Sequence, residues 1–474
     1  MSEVRKIAHN TLIQIIGKTL VISFSLLGFG LMARYLGQEG VGYYSTIYAF
    51  LAIFGILIDL GMQMTTTKII SDPKEDESKI LSNALTIRLI GSVIFLGLAP
   101  IIAIFFPYPT IVKTGMLISI VGFVSASLTS TLISLFQKHL LMLRVAIAEI
   151  SAKIIYLGLI LSTVYFDFGF YGILFAASMD SLLTFVILIY FASKEIKLKP
   201  TFDFDIWKKI LSLTWPIGLT ITLNLIYFKG DIFIMSLIRS QSEVGLYGAP
   251  YRILEVLINI IYLFLGLIMP LMATAVAIKN IEKLKIIIQS VFDFLLIITI
   301  PMIVGGYFLG EKIMIIVAGP EFIISGKIIK ILLIATGTIF IAALFGYAVV
   351  ALNKQKKAIP FYAINAVIST IGYLIFIPKY GYWGAAWMTV FSEIFILISA
   401  AYVLKKSINF LPGLKMLPKI IVASLVMSLP LYLFNQISLF VLLPAGVVIY
   451  FISLYLIKGI DKNIILEIIK KENN

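Results

Sequence analysis

The sequence predicts an all-α polytopic membrane protein of about fourteen spans, because apolar runs near the ~20 residues that cross a bilayer recur from end to end. Composition points the same way: of 474 residues, 60% are hydrophobic and 13% charged, with mean hydropathy +1.05. Soluble domains sit nearer one half and one quarter. The chain also repeats itself. Val41-Gly42-Tyr43-Tyr44 answers Val244-Gly245-Leu246-Tyr247 at an offset of 203, and Phe168-Gly169-Phe170-Tyr171-Gly172 answers Tyr380-Gly381-Tyr382-Trp383-Gly384 at an offset of 212. Both echoes fall at the same place in a six-helix unit. Six is even, so the second unit enters with the orientation of the first, and the repeat is parallel with its axis along the membrane normal.

Breaking the chain at polar, Pro and Gly clusters places the spans near 8–35, 41–68, 80–106, 110–136, 144–166, 169–192, 206–238, 243–277, 284–308, 323–352, 358–377, 381–404, 416–434 and 437–457. The first run follows Arg5 and Lys6 and continues to about Tyr35, too long for a signal-peptide core and without a small-residue cleavage site, so it is read as a retained helix. It meets the second at the Gly-rich turn Leu36 to Gly42, and the second run carries Asp59. The charged linker from Ser193 to Lys209, with Lys194, Lys197, Lys199 and Pro200, separates an N-terminal six-helix half (1–195) from a second (196–408). Residues 409–474 have no echo and form an appended pair of helices with a cytoplasmic tail.

The net charge of +14 is unevenly placed. With the N-terminus in the cytoplasm, the outer segments hold only Arg34, Lys113, Arg239, Lys312, Lys327, Lys330 and Lys379, and the inner segments hold most of the remaining Lys and Arg. Basic residues near span ends set orientation, so both termini are expected in the cytoplasm, and the basic excess needs no nucleic acid to explain it. Cysteine is absent, which excludes disulfides and thiolate metal sites, and with His9 and His139 as the only histidines no metal or cofactor is expected. Each histidine is read as a solvated residue at a helix end. The nearest approach to a phosphate-binding loop, Gly319 to Lys327, has six residues between its glycines where four belong, and Ile328 replaces Ser or Thr. Gly306 and Gly310 form a G-x-x-x-G helix-packing pattern.

Charges inside spans cost a few kcal/mol to insert, so those kept are expected to face water or a partner. On span one Asn10, Gln14 and Lys18 recur every four residues, with Ser25 seven further on, as one polar stripe. Span eight places Arg252, Glu255, Asn259 and Tyr262 on one face; Arg252 either contacts phosphate, which its planar guanidinium suits, or is neutralised by Glu255. Span seven carries Thr220, Asn224, Tyr227 and Asp231 as a second stripe, with Lys229 nearly opposite Asp231. Asp59 shares a face with Gln63 and Thr66, and both ion binding and a pair with Lys18 stay open for it. Glu149 and Lys153, at i and i+4 in the favourable order, are expected to pair with each other. Asp180 and Glu393 sit near the middles of spans six and twelve, as ion sites or structural carboxylates.

Four pieces in order, ARYLGQEGVGYY with the following IDLG, TWPIGLTITLNLIYFKGDIFIM, EVGLYGAPYR and YGYWGAAWMTVFSE, resemble the Wzx-like polysaccharide-flippase branch of the multidrug/oligosaccharidyl-lipid/polysaccharide exporter superfamily. The resemblance covers nearly the whole chain. It implies two six-helix lobes around a central cavity plus two trailing helices, and movement of a lipid-linked oligosaccharide across the cytoplasmic membrane by alternating access. Carrying a pyrophosphate linkage through about 30 Å of hydrocarbon calls for buried cations. Lys18 and Arg252, then Lys229, Arg88 and Lys153, are the candidates; Asn10, Gln14, Asn224, Asn259 and Tyr262 are expected polar lining; and Asp59, Asp231, Asp180, Glu255 and Glu393 are candidates for H+ or Na+ coupling. Membrane lipids and glycan-assembly enzymes are the further expected partners. A cation-coupled drug or metabolite exporter of the same superfamily is the alternative, and would favour acidic walls. A membrane glycan polymerase or ligase is more remote, because the longest outer segment, Leu309 to Phe322, offers only Glu311, Lys312 and Glu321 as charged groups.

Overall fold

A computed structural model describes residues 3–459 and, within them, all side chains except those of residues 3–13, 15, 216, 217, 220 and 221. The side chains of Asn10 and Thr220 therefore lie outside the described residues. The order is α1 (Glu3–Asp59), α2 (Met62–Ile70), α3 (Glu77–Ala103), α4 (Thr110–Lys138), α5 (Met142–Tyr165), α6 (Gly169–Ser193), α7 (Phe204–Ile238), α8 (Gln241–Ala277), α9 (Ile281–Ala318), α10 (Ile323–Ala351), α11 (Ile359–Tyr380), α12 (Tyr382–Ile408), α13 (Leu417–Leu433) and α14 (Leu439–Leu456). Among the described residues, 11 helices are long and apolar enough to cross a membrane.

At 57 residues, α1 would run about 85 Å if straight, nearly three hydrocarbon cores. It bends at Gly37, whose φ of 66° lies in the left-handed region that glycine enters without a Cβ penalty. Spans one and two of the sequence reading are its two arms. The second span is not continuous: Leu60 (φ 41°) and Gly61 (φ 81°) break it, and α2 resumes as a separate short helix.

The chain forms two compact units. The first comprises residues 1–249, 317–321 and 366–385. At one end Met62, Ile70, Ile80, Leu81, Leu132, Phe136, Leu188 and Ile210 close a core between α2, α3, α4, α6 and the start of α7. Over this end runs the linker from α6 to α7. Ser78 donates to the Lys197 carbonyl, the Lys199 N–H to Ser82 Oγ at 3.2 Å, the Thr201 N–H to Thr86 Oγ1 at 3.2 Å and the Asp203 N–H to Asn83 Oδ1 at 3.0 Å. The register has a geometric cause. Two residues of extended chain advance ~6.6 Å and one helical step of four advances ~6 Å, so the N–H groups of Lys199 and Thr201 meet successive turns of α3, whereas the Asp203 N–H turns back to Asn83. Pro200, which has no N–H to give, occupies the position between two donors. Asp203 then caps α7, accepting from the N–H groups of Asp205 and Ile206 at 3.2 Å each. The Lys79 ammonium beside it holds its carboxyl below the usual carboxylate range. His139 is exposed at the C-cap of α4, as expected of it, and its Nε2 lies 2.7 Å from Glu77, next to the Lys138–Glu77 pair.

The second unit comprises residues 250–316, 322–365 and 386–474, and α10 is its central helix, 72% buried over its most apolar window. The G-x-x-x-G pattern seats it: a Cβ on Gly306 would lie 2.0 Å from Leu333, and one on Gly310 2.8 Å from the Gly326 carbonyl. Gln289 on α9 pins the α12–α13 linker like a second peptide, donating to the Gly413 carbonyl at 3.0 Å and accepting its N–H at 2.7 Å.

Candidate functional site

In the first unit the intramembrane charges form a ladder across three helices. Lys18 on α1 reaches both carboxylate oxygens of Glu149 on α5, at 2.6 and 2.7 Å. One turn further along α5, Lys153 donates to Asp180 Oδ2 on α6 at 2.6 Å, with its ammonium 4.7 Å from the Tyr156 ring centre. The expected Glu149–Lys153 pair is thus replaced by two pairs between helices. α5 packs against both α1 and α6. A neighbouring helix offers a partner tip to tip, whereas an i, i+4 pair must bend two long side chains along one surface, worth only ~0.2–0.5 kcal/mol. The Lys18 side chain retains 37% exposure and Glu149 14%, whereas Lys153 and Asp180 each retain 17%. Gln14, a turn before Lys18, is half-buried.

Asp59 does not pair with Lys18. As the last residue of α1 it abuts α3, where Arg88 captures it; the guanidinium also donates to Ser130 and the Ser127 carbonyl of α4. Arg88 is 1% exposed and Asp59 41%. Asp231 on α7 is fully buried, accepting the Tyr247 hydroxyl and the Ile232 N–H at 2.7 Å each. A tyrosine network lies beside it in sequence: the Asn224 amide donates to the Tyr227 hydroxyl at 2.5 Å, and the Tyr373 hydroxyl to the Tyr227 carbonyl at 2.9 Å. Lys229 lines a different wall, as its helical position predicts. Its cavity, about 450 Å³, is otherwise built from apolar residues of α1, α7 and α11 with Thr222 and Thr370.

In the second unit Arg252 Nη1 binds Glu255 Oε2 at 2.9 Å, and the Arg252 side chain stays 42% exposed. Further along the same stripe Asn259 is exposed, and Tyr262 stacks on Tyr347 with ring centres 6.5 Å apart. Glu393 on α12 is 4% exposed. The second unit also holds a cavity of about 410 Å³ lined by Ile253, Leu257, Pro301, Gly305, Met427, Leu443, Gly446 and Tyr450, from α8, α9, α13 and α14, with residues of α10. Its lining is apolar on helices that are apolar all round, so no periodicity announces it. Among the described residues no group of three or more His, Asp or Glu is placed to hold a metal.

In the first unit Lys18, Lys153 and Arg88 are each matched by a carboxylate, and in the second unit Arg252 is. The family model described as "Polysaccharide biosynthesis protein" matches residues 7–276, more than half of the chain. A candidate O-antigen transporter of Shigella dysenteriae is 21% identical over 387 residues, covering 81% of this chain and 95% of that protein. Among solved structures, the lipid II flippase MurJ in an inward closed conformation superposes with a TM-score of 0.75 at 17% identity, covering 94% of this chain and 98% of that one. An inward-facing multidrug resistance transporter of the MATE family, MOP superfamily, gives 0.65 at 14% identity, covering 83% and 94%. At these identities the two structures speak for the fold.

Proposed function

Because the chain belongs to the polysaccharide biosynthesis protein family, we propose that it is a flippase carrying a lipid-linked oligosaccharide from the cytoplasmic to the outer leaflet by alternating access, with both termini in the cytoplasm. The observation that carries this reading is the partly exposed Lys18–Glu149 pair. A carboxylate gripping a lysine with both oxygens occupies the place a phosphate would take. Substrate displaces Glu149, the ammonium follows the phosphate charge, and on release Glu149 returns. No bare cation then faces hydrocarbon while the empty protein resets, a state that would be costly. Arg252, held by Glu255 and 42% exposed, offers the same exchange with a bidentate donor. Lys153 and Arg88, more deeply paired, hold the helices that carry the exchange. The polyprenyl tail fits the apolar cavity beside α13 and α14.

The carboxylates Asp59, Asp180, Glu255 and Glu393 remain coupling candidates, and Asp231 leads them: it is fully buried and accepts from a hydroxyl and an N–H, a setting where a proton or Na+ changes its charge state directly. The protein acts as a transporter, without a catalytic residue of its own, and hands its product to glycan-assembly enzymes. The test is flipping of a labelled undecaprenyl-diphosphate oligosaccharide in proteoliposomes. Lys18→Ala and Arg252→Ala should each abolish flipping at unchanged protein level; normal rates in both sink the exchange. The drug-exporter alternative draws on the same carboxylates and predicts instead that the vesicles move lipophilic cations.

A further inference from the structure

The two units treat differently the cations at the ends that the sequence assigns to the cytoplasm. In the first unit these are matched within the protein: Lys79 binds Asp203 at 2.6 Å, Lys138 binds Glu77 at 2.9 Å, Arg144 binds Glu195 at 2.6 Å, and Lys209 binds Glu75. In the second unit the means of matching are missing. From Phe322 to Gly459 the sole acidic residue is Glu393, which is buried. Over the same stretch Lys354, Lys356 and Lys357 stand exposed between α10 and α11, and Lys405, Lys406 and Lys415 stand exposed at and just beyond the end of α12. Orientation in the membrane accounts for the lysines, but not for the missing carboxylates, because Asp and Glu contribute little to it. The segment beyond Gly459 brings no net negative charge, since Asp461, Glu467 and Glu472 are offset there by Lys462, Lys470 and Lys471.

The two groups of lysines converge on one pair of rings. Phe361, one turn beyond Lys357, meets Tyr402, one turn before Lys406, with ring centres 5.9 Å apart, and the Lys406 ammonium lies 5.8 Å from the Tyr402 ring centre. The chain beyond α12 keeps the same mixture. Gly413 is pinned to Gln289, and Leu411 and Leu414 on either side of it are exposed next to Lys415. Exposed rings and leucines bordered by ammonium groups match the boundary between hydrocarbon and headgroups. On the orientation proposed above, which sets this end of the unit in the cytoplasmic leaflet, we propose that the lysines around Phe361 and Tyr402 bind the phosphate headgroups of anionic phospholipids. Basic pockets between spanning helices at this depth take such headgroups, and each lysine adds to the attraction. Lysines one turn from a membrane-spanning segment already stand among headgroups, so phospholipid needs no further docking surface, as an acidic protein would. The bound phosphates supply the counter-charge that this part of the chain lacks.

The chain has no cysteine, so Gln355→Cys, at an exposed position among the lysines, carries a single bimane label. In symmetric phosphatidylcholine vesicles the label meets the same headgroups whichever way the protein inserts. At equal small mole fractions, phosphatidylglycerol with a nitroxide near its headgroup should quench the label at least about threefold more than the matching phosphatidylcholine, and high salt should shrink the excess. Changing Lys356, Lys357, Lys405 and Lys406 together to Gln should abolish the excess, and changing all four to Arg should keep it. Equal quenching by the two lipids in the parent overturns the site and leaves the lysines to an acidic protein. An excess that survives the four Gln substitutions overturns the assignment to these residues. Orientation is read separately, by a membrane-impermeant maleimide added to spheroplasts: reaction of Gln355→Cys there removes the cytoplasmic placement, while the quenching still judges the site.

Discussion

Removing Asp59 should harm the protein more than removing the arginine that binds it. Arg88 is 1% exposed, and its guanidinium is held by Asp59, Ser130 and the Ser127 carbonyl, while Nε has no partner. Asp59→Ala strands a buried cation, for which the loss of one partner is worth ~3–5 kcal/mol in a fully enclosed pair. Asp59 is itself 41% exposed and the two serine contacts survive, which brings the expected loss to about 2–3 kcal/mol. Arg88→Met removes the charge together with its desolvation and keeps most of the side-chain volume, so it should cost about 0–1.5 kcal/mol. The double variant should fall near Arg88→Met, giving a coupling of about 2–3 kcal/mol, the whole of the Asp59→Ala loss. SDS titration of the purified protein, followed by helix signal, measures all four forms. Arg88→Met as damaging as Asp59→Ala, or a double variant whose losses simply add, would refute the reasoning that Asp59 offsets the charge of a buried arginine.

Three other outcomes follow from the geometry. Glu149→Gln removes the competitor for Lys18, so the KM for a diphosphate-linked lipid should fall about three- to tenfold, which a substrate titration of initial flipping rates reads. Gly305→Leu projects into the apolar cavity of the second unit, where the nearest atom to its Cβ is 3.8 Å away; melting temperature should hold while flipping slows, and unchanged flipping argues against the tail lying there. Asp203 has a depressed folded-state pKa, so its stabilisation is complete above the unfolded carboxyl value near ~3.9 and is lost as pH falls through the folded value. Asp203→Ala should therefore melt earlier than the parent at pH 7, with the gap closing below about pH 3.9.

Much of the fold is written locally. Apolar length alone marks the helices, Gly37 marks the fold-back between the arms of α1, and Gly306 with Gly310 marks the face that receives α10. What local pattern misjudges is partnership. Glu149 and Lys153 are an ideal pair by spacing, yet each finds its counterpart 131 and 27 residues away, because only tertiary packing decides which tip meets which in a medium without water. Asp59 illustrates the same limit: its depth suits Lys18, but Arg88 is nearer. Ser78, Ser82 and Thr86 stand four residues apart on α3, and nothing local connects them to a linker more than a hundred residues later.

That linker imposes a rule of parity on the joint between the repeats. Its N–H groups alternate between α3 and the outside, so inserting one residue before Lys199 would turn the donors of Lys199 and Thr201 away from Ser82 and Thr86 and leave both hydroxyls facing the wrong side of the strand. Two inserted residues would instead keep the facing of the N–H groups and slide the strand one turn along α3, bringing the Lys199 N–H to Thr86 at the loss of the Thr201 bond, because Ile90 offers no acceptor. A fusion or circular permutation made at this joint is thus expected to tolerate even changes in length and resist odd ones, although the joint looks, by charge and proline content, like a tether of arbitrary length.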